Sequence, residues 1–279
     1  MNGQKKGLKE KPNSNTGPWG AFLSLVNSVK KGKIPYPRII IVNRQKRPSV
    51  RLDPKKDIMG ELFEVSPYEN FDKPELTLDM QGWGSKNPVF ETLLDEVKPK
   101  IVIEVGTWKG GSAIHMASHA RRQKLKCRIF CVDTWLGSLE HWKKKDSPDK
   151  YAWFSSLGLS NGYPQIYYQF LYNVIHHGLQ DYIIPFPNTS LTGARWFQWK
   201  GIQADLIYLD GSHEEADVYQ DLLHFYPVAR EGGLIFGDDW NWKGVKVAVT
   251  RFAQERGLEI SFRDGASDTW ILSRRAATA

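Results

Sequence analysis

Cysteine is scarce in this chain: two residues in 279, Cys127 and Cys131. They flank one apolar segment four positions apart, which puts them on one face of a strand but too far apart for a disulfide. Two thiols with no neighbouring ligands also exclude a cysteine-built zinc site. They fit reduced core residues, as in a cytoplasmic protein. Long apolar runs are missing as well. No stretch approaches the roughly 18 apolar residues of a membrane span, and Met1-Asn-Gly-Gln-Lys-Lys lacks the apolar core of a secretory signal. There is no internal repeat. Acids are nearly absent from the start of the chain. Residues 1–56 hold 14 Lys or Arg against Glu10 and Asp53, a balance of +12. The whole chain carries +7, which leaves −5 for residues 57–279. Residues 1–16 are also poor in apolar side chains and are expected to form a disordered basic tail. Such a region can meet nucleic acid, anionic lipid or an acidic polymer, or simply extend into solvent.

Aromatics are abundant, with 11 Trp, 11 Tyr and 13 Phe, so a large core and an aromatic-lined pocket are both within reach. Residues 17–80 form an N-terminal extension, with a short amphipathic helix expected over 17–32 and an accessory strand over 39–42. The principal domain is expected over 81–279. It is entered through Gln81-Gly-Trp-Gly-Ser85 and a helix over 87–97.

From residue 100 the pattern alternates strand and helix, the signature of a parallel sheet covered on both faces. Strands are expected at 100–106, 128–133, 181–186, 204–210, 232–237, 258–263 and 268–273. Helices are expected at 111–125, 190–200, 214–229 and 242–256. The turn between the last two strands, Asp264-Gly-Ala-Ser267, is too short for a parallel crossover, so those strands must pair antiparallel. The fold class is therefore α/β: a Rossmann-like, seven-stranded, mostly parallel sheet with an antiparallel C-terminal hairpin. An aromatic-rich insertion at 136–180 lies between the second and third strands. It is long enough to form a lid, or to pack as a small helical subdomain.

The segment Ile101-Val-Ile-Glu-Val-Gly-Thr-Trp-Lys-Gly-Gly-Ser112 is a β-branched strand, a glycine-rich turn and a helix start. Gly106, Gly110 and Gly111 let the backbone turn sharply and approach a ligand. The spacing is acid-x-Gly-x-x-x-Gly, not the Gly-x-Gly-x-x-Gly of nicotinamide dinucleotide sites, which argues against a dehydrogenase. Glu104 before the turn would repel a pyrophosphate but suits a cationic ligand. A second strand ends in Asp133, 22 residues beyond Gly111, where an acid can accept ribose hydroxyls. Trp135 follows closely enough to border an adenine. Two more strands end in acids: Leu206-Ile-Tyr-Leu-Asp-Gly-Ser-His213 and Leu234-Ile-Phe-Gly-Asp-Asp239. In an open α/β sheet these ends are neighbours beside the switch point. Asp210, Asp238 and Asp239 would converge there, and carboxylates so placed favour a hard cation such as Mg²⁺ or Mn²⁺. Asp238 or Asp239 can instead cap the following helix, and His213 can serve in packing.

The glycine turn resembles motif I of the class I S-adenosylmethionine (SAM)-dependent methyltransferases. The acid clusters resemble those of metal-dependent O-methyltransferases, more closely the macrolide-sugar and rhamnosyl type than the catechol type, in which a lysine stands at the offset of His213 and an asparagine is usual at Asp239. The segments Val132-Asp-Thr-Trp-Leu-Gly137, Asp210-Gly-Ser-His213 and Phe236-Gly-Asp-Asp-Trp240 also resemble a bacterial family of small class I methyltransferases. The resemblance spans about residues 80–275. It implies SAM bound by Glu104, Gly106, Thr107, Gly110, Ser112, Asp133, Trp135 and Asp210. It further implies a divalent metal, Mg or Mn, on Asp210, Asp238 and Asp239, with His213 and Asp210 catalytic, and a small-molecule or glycan acceptor. A nucleic-acid methyltransferase is the first alternative. It is disfavoured because no Asn/Asp-Pro-Pro-aromatic motif follows the fourth strand. A non-catalytic SAM-binding protein is the second. Lys109 is expected to meet the cofactor carboxylate or face solvent, and His176 and His177 to be structural. Homo-oligomerisation is left open.

Overall fold

The computed structural model describes residues 58–143, 153–263 and 268–274. All belong to a compact unit running from Pro48 to Ala279. The tail, the helix over 17–32, the strand over 39–42 and the turn 264–267 lie outside the described residues.

Two short pieces precede the sheet: α1 (Ile58–Leu62) and α2 (Val89–Val97). The sheet and its helices then follow in order: β1 (Ile101–Val105), α3 (Gly111–Arg122), β2 (Arg128–Asp133), α4 (Leu139–Trp142), α5 (Ile166–His176), β3 (Ile183–Pro187) and α6 (Ser190–Lys200). The second half comprises β4 (Ala204–Leu209), α7 (Glu215–Phe225), β5 (Ala229–Gly237), α8 (Lys243–Arg256), β6 (Leu258–Phe262) and β7 (Trp270–Arg274). The seven strands lie in the order β3-β2-β1-β4-β5-β7-β6. β1 to β5 pair parallel, and β7 pairs antiparallel with both β5 and β6. This is the sheet expected from the sequence. The chain leaves β1 in one direction and returns on its other side as β4, so the switch point lies between β1 and β4.

Alternation along each strand divides the interior in two. Ile103, Val105, Phe130 and Ile207 join one apolar layer, with α6, α7 and α8. Val102, Ile129, Cys131, Leu206 and Tyr208 join the other, with α2, α3 and α5. Burial on both faces is why these strands are continuous apolar runs rather than alternating ones. Both cysteines are free and buried.

The helix expected over 214–229 is shorter. α7 stops at Phe225, Tyr226–Val228 form a 3₁₀ turn, and β5 begins already at Ala229. Pro227 is the cause: it lacks the N–H that an α-helix needs there, and it restricts Tyr226. The insertion contains α4, a 3₁₀ turn at Ser155–Leu157 and α5. Phe170 of α5 is fully buried while Tyr163 is 61% exposed, so the inserted rings divide between core and surface. Among the described residues no helix is long and apolar enough to cross a membrane.

Candidate active site

The turn after β1 is built by close backbone packing. Gly106 has φ +83°, and a Cβ there would lie 2.0 Å from the carbonyl oxygen of Asp210. Only glycine permits that contact, which locks the turn against the end of β4. Asp210 N–H donates to the Val105 carbonyl at 2.8 Å, closing the same junction. Gly110, at φ +89°, is the N-cap of α3 and supplies no capping side chain. The first turn of that helix therefore presents its N–H groups without a side-chain cap.

The two acids beside the turn are engaged within the protein. Glu104 is fully buried. Its carboxylate accepts from Ser112 Oγ and, at 3.3 Å, from Thr107 Oγ1. Burial pushes its carboxyl up to about 7, against the lowering effect of these bonds. Thr107 and Ser112, expected at the cofactor, thus bond Glu104. Asp133 accepts from the N–H groups of Thr107 (2.8 Å), Trp108 (2.9 Å) and Trp135 (2.7 Å). A carboxylate offers about four lone-pair positions, so room remains for about one further donor, not for both hydroxyls of a ribose. Trp135 is 2% exposed and packs on Tyr167 and Phe170. Its indole N–H donates to the Trp108 carbonyl at 2.7 Å. It is a core ring supporting the turn. The physical reason is α5, which covers the face the sequence left open.

Lys109 takes neither expected position. It is buried, and its Nζ donates to Asp79 (2.6 Å) and Gln81 (2.9 Å). Asn173 of α5, fully buried, donates to the carbonyls of Asp79 (2.7 Å) and Lys109 (2.9 Å). These bonds clamp the 79–85 segment over the glycine turn. A Cβ at Gly84 would sit 2.6 Å from Asp238 Oδ2, and one at Gly111 would sit 2.8 Å from Ser85 Cβ. The loop therefore spans from the start of α3 to the end of β5. Asp79 and Asn173 were missed by motif reading, because neither belongs to the glycine turn in sequence.

At the ends of β4 and β5, Asp210, Asp238 and Asp239 line one cavity, together with Asp221 of α7. Burial, then the charges of Asp239 and Asp238, raises the Asp210 carboxyl well above its ordinary range. Asp238 is raised by burial and by Asp239. Burial pushes Asp221 up to about 6. Each of the three expected acids has a protein partner: Tyr208 donates to Asp210 (3.0 Å), Thr269 to Asp238 (3.3 Å), and His213 Nε2 pairs with Asp239 (2.8 Å). Asp239 holds φ +62°, a left-handed conformation that an Asp tolerates better than most residues. The His213 ring stacks on Trp242, with centroids 4.3 Å apart. Its Nδ1 is buried without a hydrogen-bond partner. The hydrogen bond to Asp239 raises the imidazole above its usual value, against burial.

An all-oxygen, mutually repelling acid set suits a hard divalent cation in charge and donor type. Among the described residues, however, no three His, Cys, Asp or Glu side chains are gathered closely enough to enclose one. Asp239 is turned to His213 instead. The aspartates share a cavity without forming a cage.

A family model described as a methyltransferase domain matches residues 103–240, from within β1 to just past β5. No curated protein matches the chain. Solved structures with a similar fold include the O-methyltransferase NovP, at 18% identity over 73% of this chain and 84% of that one, with TM-score 0.49. An O-methyltransferase from Bacillus cereus in complex with SAH has 16% identity, covers 80% of this chain and 93% of the other, and has TM-score 0.45. A TDP-rhamnose 3'-O-methyltransferase of calicheamicin biosynthesis has 15% identity, covers 67% and 78%, and has TM-score 0.44.

Proposed function

We propose that this chain, whose residues 103–240 match a methyltransferase-domain model, transfers the methyl group of SAM to an oxygen, most plainly a sugar hydroxyl. The observation that carries the reading is the placement of His213. Its Nε2 is held by Asp239 at 2.8 Å while Nδ1 is buried and unpartnered. With Nε2–H donating to the carboxylate, the Nδ1 lone pair is free to accept a proton. Asp210, just before it in the chain, is packed against Gly106 of the glycine turn. This supports reading His213 as a proton acceptor near a cofactor turn at the switch point, where open α/β sheets bind ligands.

SAM would lie along Gly106 and Gly110, with Asp133 beneath the turn. The uncapped start of α3 suits its carboxylate. With Asp239 turned to His213, Asp210 and Asp238 would offer a divalent metal, Mg²⁺ or Mn²⁺, an open set of oxygens rather than a closed cage. That metal supplies Lewis-acid polarisation of the acceptor oxygen. The support for it is the raised carboxyls of Asp210 and Asp238, a repulsion that a cation relieves. Asp239 has a role that does not depend on metal: it orients His213 and stabilises the imidazolium formed when Nδ1 takes the acceptor's proton. The sulfonium is already activated, so no covalent intermediate on the protein is needed.

Calorimetric titration of SAM, followed by assay of S-adenosylhomocysteine over a panel of sugars with and without EDTA, tests both levels. Binding, turnover and loss of turnover in EDTA with recovery on adding Mg²⁺ are expected. No SAM binding would overturn the whole reading. Full turnover in EDTA would remove the metal and leave His213 as the sole activating group.

A further inference from the structure

Two ring nitrogens beside the site have no hydrogen-bond partner: Trp108 Nε1 and His141 Nε2, both buried. The two rings lie against each other, with centroids 4.1 Å apart. His141 is 9% exposed. Its Nδ1 receives the backbone N–H of Ser138 at 3.2 Å, so in the neutral ring the proton sits on Nε2. Burial lowers the pKa of His141, against the influence of Glu140, which keeps the ring neutral near pH 7. Indole is a donor only. The pair therefore presents two uncharged N–H donors, and leaving such groups unmet is costly. A ligand that satisfies them must bring hydrogen-bond acceptors to both N–H groups.

The walls around these donors are aromatic. The Trp83 ring is 6.5 Å from that of Trp108 and 6.4 Å from that of His141, and Trp153 is also 6.4 Å from His141. Trp83 is 49% exposed, a platform rather than a core ring. Its neighbour Gly84 abuts Asp238. Asp238 is followed by Asp239, which pairs with His213 at 2.8 Å. The aromatic group is thus next to the proposed proton acceptor.

We propose that Trp83, Trp108 and His141 form the acceptor subsite of this enzyme, and that it takes an uncharged ring bearing alkyl hydroxyls, a sugar, whose oxygens accept from the two ring N–H groups while its face rests on Trp83. This rests on the methyltransferase reading above. The choice of a sugar follows from the donors. Both are neutral, so neither requires a charged ligand. A phenolic oxygen shares its lone pair with its ring and accepts hydrogen bonds poorly, whereas an alkyl hydroxyl accepts well. Lys109, with its Nζ 5.7 Å from the Trp108 ring, is already paired with Asp79.

Saturation-transfer NMR with the methyl glycosides of glucose, galactose and rhamnose, and with catechol, tests this without requiring turnover. At least one glycoside should bind the wild-type chain more tightly than catechol. His141→Ala and Trp108→Phe, each removing one donor, should weaken that glycoside about tenfold, the effect of roughly one hydrogen bond. Trp83→Ala should weaken it too, and Trp199→Ala, at a distant exposed ring, should not. SAM affinity should stay within about twofold of wild type in His141→Ala, which keeps the test open if Trp108→Phe folds poorly. Preferred binding of catechol, no glycoside binding, or glycoside binding indifferent to His141→Ala would overturn the proposal. So would a loss of SAM affinity with glycoside binding unchanged, which would assign these rings to the cofactor. Failure of the methyltransferase reading would look different: glycoside bound, with neither SAM binding nor S-adenosylhomocysteine formed.

Discussion

Lys109 and Asp79 should respond unequally to substitution. The Lys109 side chain is 5% exposed and that of Asp79 is 42% exposed. Asp79→Ala leaves a buried ammonium with Gln81 as its remaining carboxamide partner. Breaking a buried pair in this way costs roughly 3–5 kcal/mol. Because Asp79 is partly solvated, its share is screened, and about 2–3 kcal/mol is the better figure. Lys109→Met fills the same space with an apolar chain and leaves only a half-exposed carboxylate, at a cost of about 1 kcal/mol. The double variant should therefore be more stable than Asp79→Ala alone. For a unit of this size Asp79→Ala should lower Tm by about 5–10 °C. The Asp79 carboxyl titrates below its ordinary value: burial alone would raise it, and the Lys109 bond and the Gln81 N–H outweigh burial. Its contribution is thus complete above roughly pH 4 and is lost as pH falls through the lowered folded value. Urea unfolding of the four chains at pH 7, and of wild type and Asp79→Ala from pH 2 to 7, gives the answer. Equal losses from both single variants, or a double variant whose loss is their sum, would refute the buried-pair reasoning.

Glu104 is a buried acid whose carboxyl is raised from 4.5 to about 7 by desolvation. Between those values the folded chain holds a proton that the unfolded chain has lost, so stability should fall as pH rises from about 4.5 and level off above about 7. Glu104→Gln should flatten that slope in thermal unfolding. His213 titrates above its usual value chiefly through Asp239. NMR titration should show its inflection moving to lower pH in Asp239→Asn, and His213→Ala should lower turnover by about 10²–10⁴. Asp133→Ala removes the acceptor of three turn N–H groups, so it should lower Tm and weaken SAM in calorimetry by at least about tenfold. A loss of SAM affinity with unchanged Tm would show that the turn does not depend on it.

The sheet was legible because each parallel strand is a short β-branched run with a defined end, and the short final turn forced the antiparallel hairpin. The acid ends were legible for the same reason: position after a strand fixes position at the switch point. Asp210, Asp238 and Asp239 do line one cavity, and His213 pairs with Asp239. Side-chain partners were not legible. Asp79 and Lys109 are 30 positions apart, and Lys109 and Asn173 are 64 apart. Nothing local links such residues. Trp135 is expected beside an adenine because its place after Asp133 is fixed by sequence, whereas its burial is decided by α5, more than 30 residues on. The commitment of Asp133 to backbone N–H groups depends on the conformation of the glycine turn, which spacing alone does not specify.

The most direct measurement follows tritium from the methyl group of labelled SAM into product, using a panel of methyl glycosides with wild type and His213→Ala in parallel. Label should appear as an O-methyl ether of one glycoside with wild type, at a rate that rises with pH through the His213 titration. The variant should run about 10²–10⁴ slower and lose that pH dependence. Label transferred equally well by the variant, or recovered on a nitrogen, on nucleic acid or on nothing at all, would contradict an O-methyltransferase that works through His213.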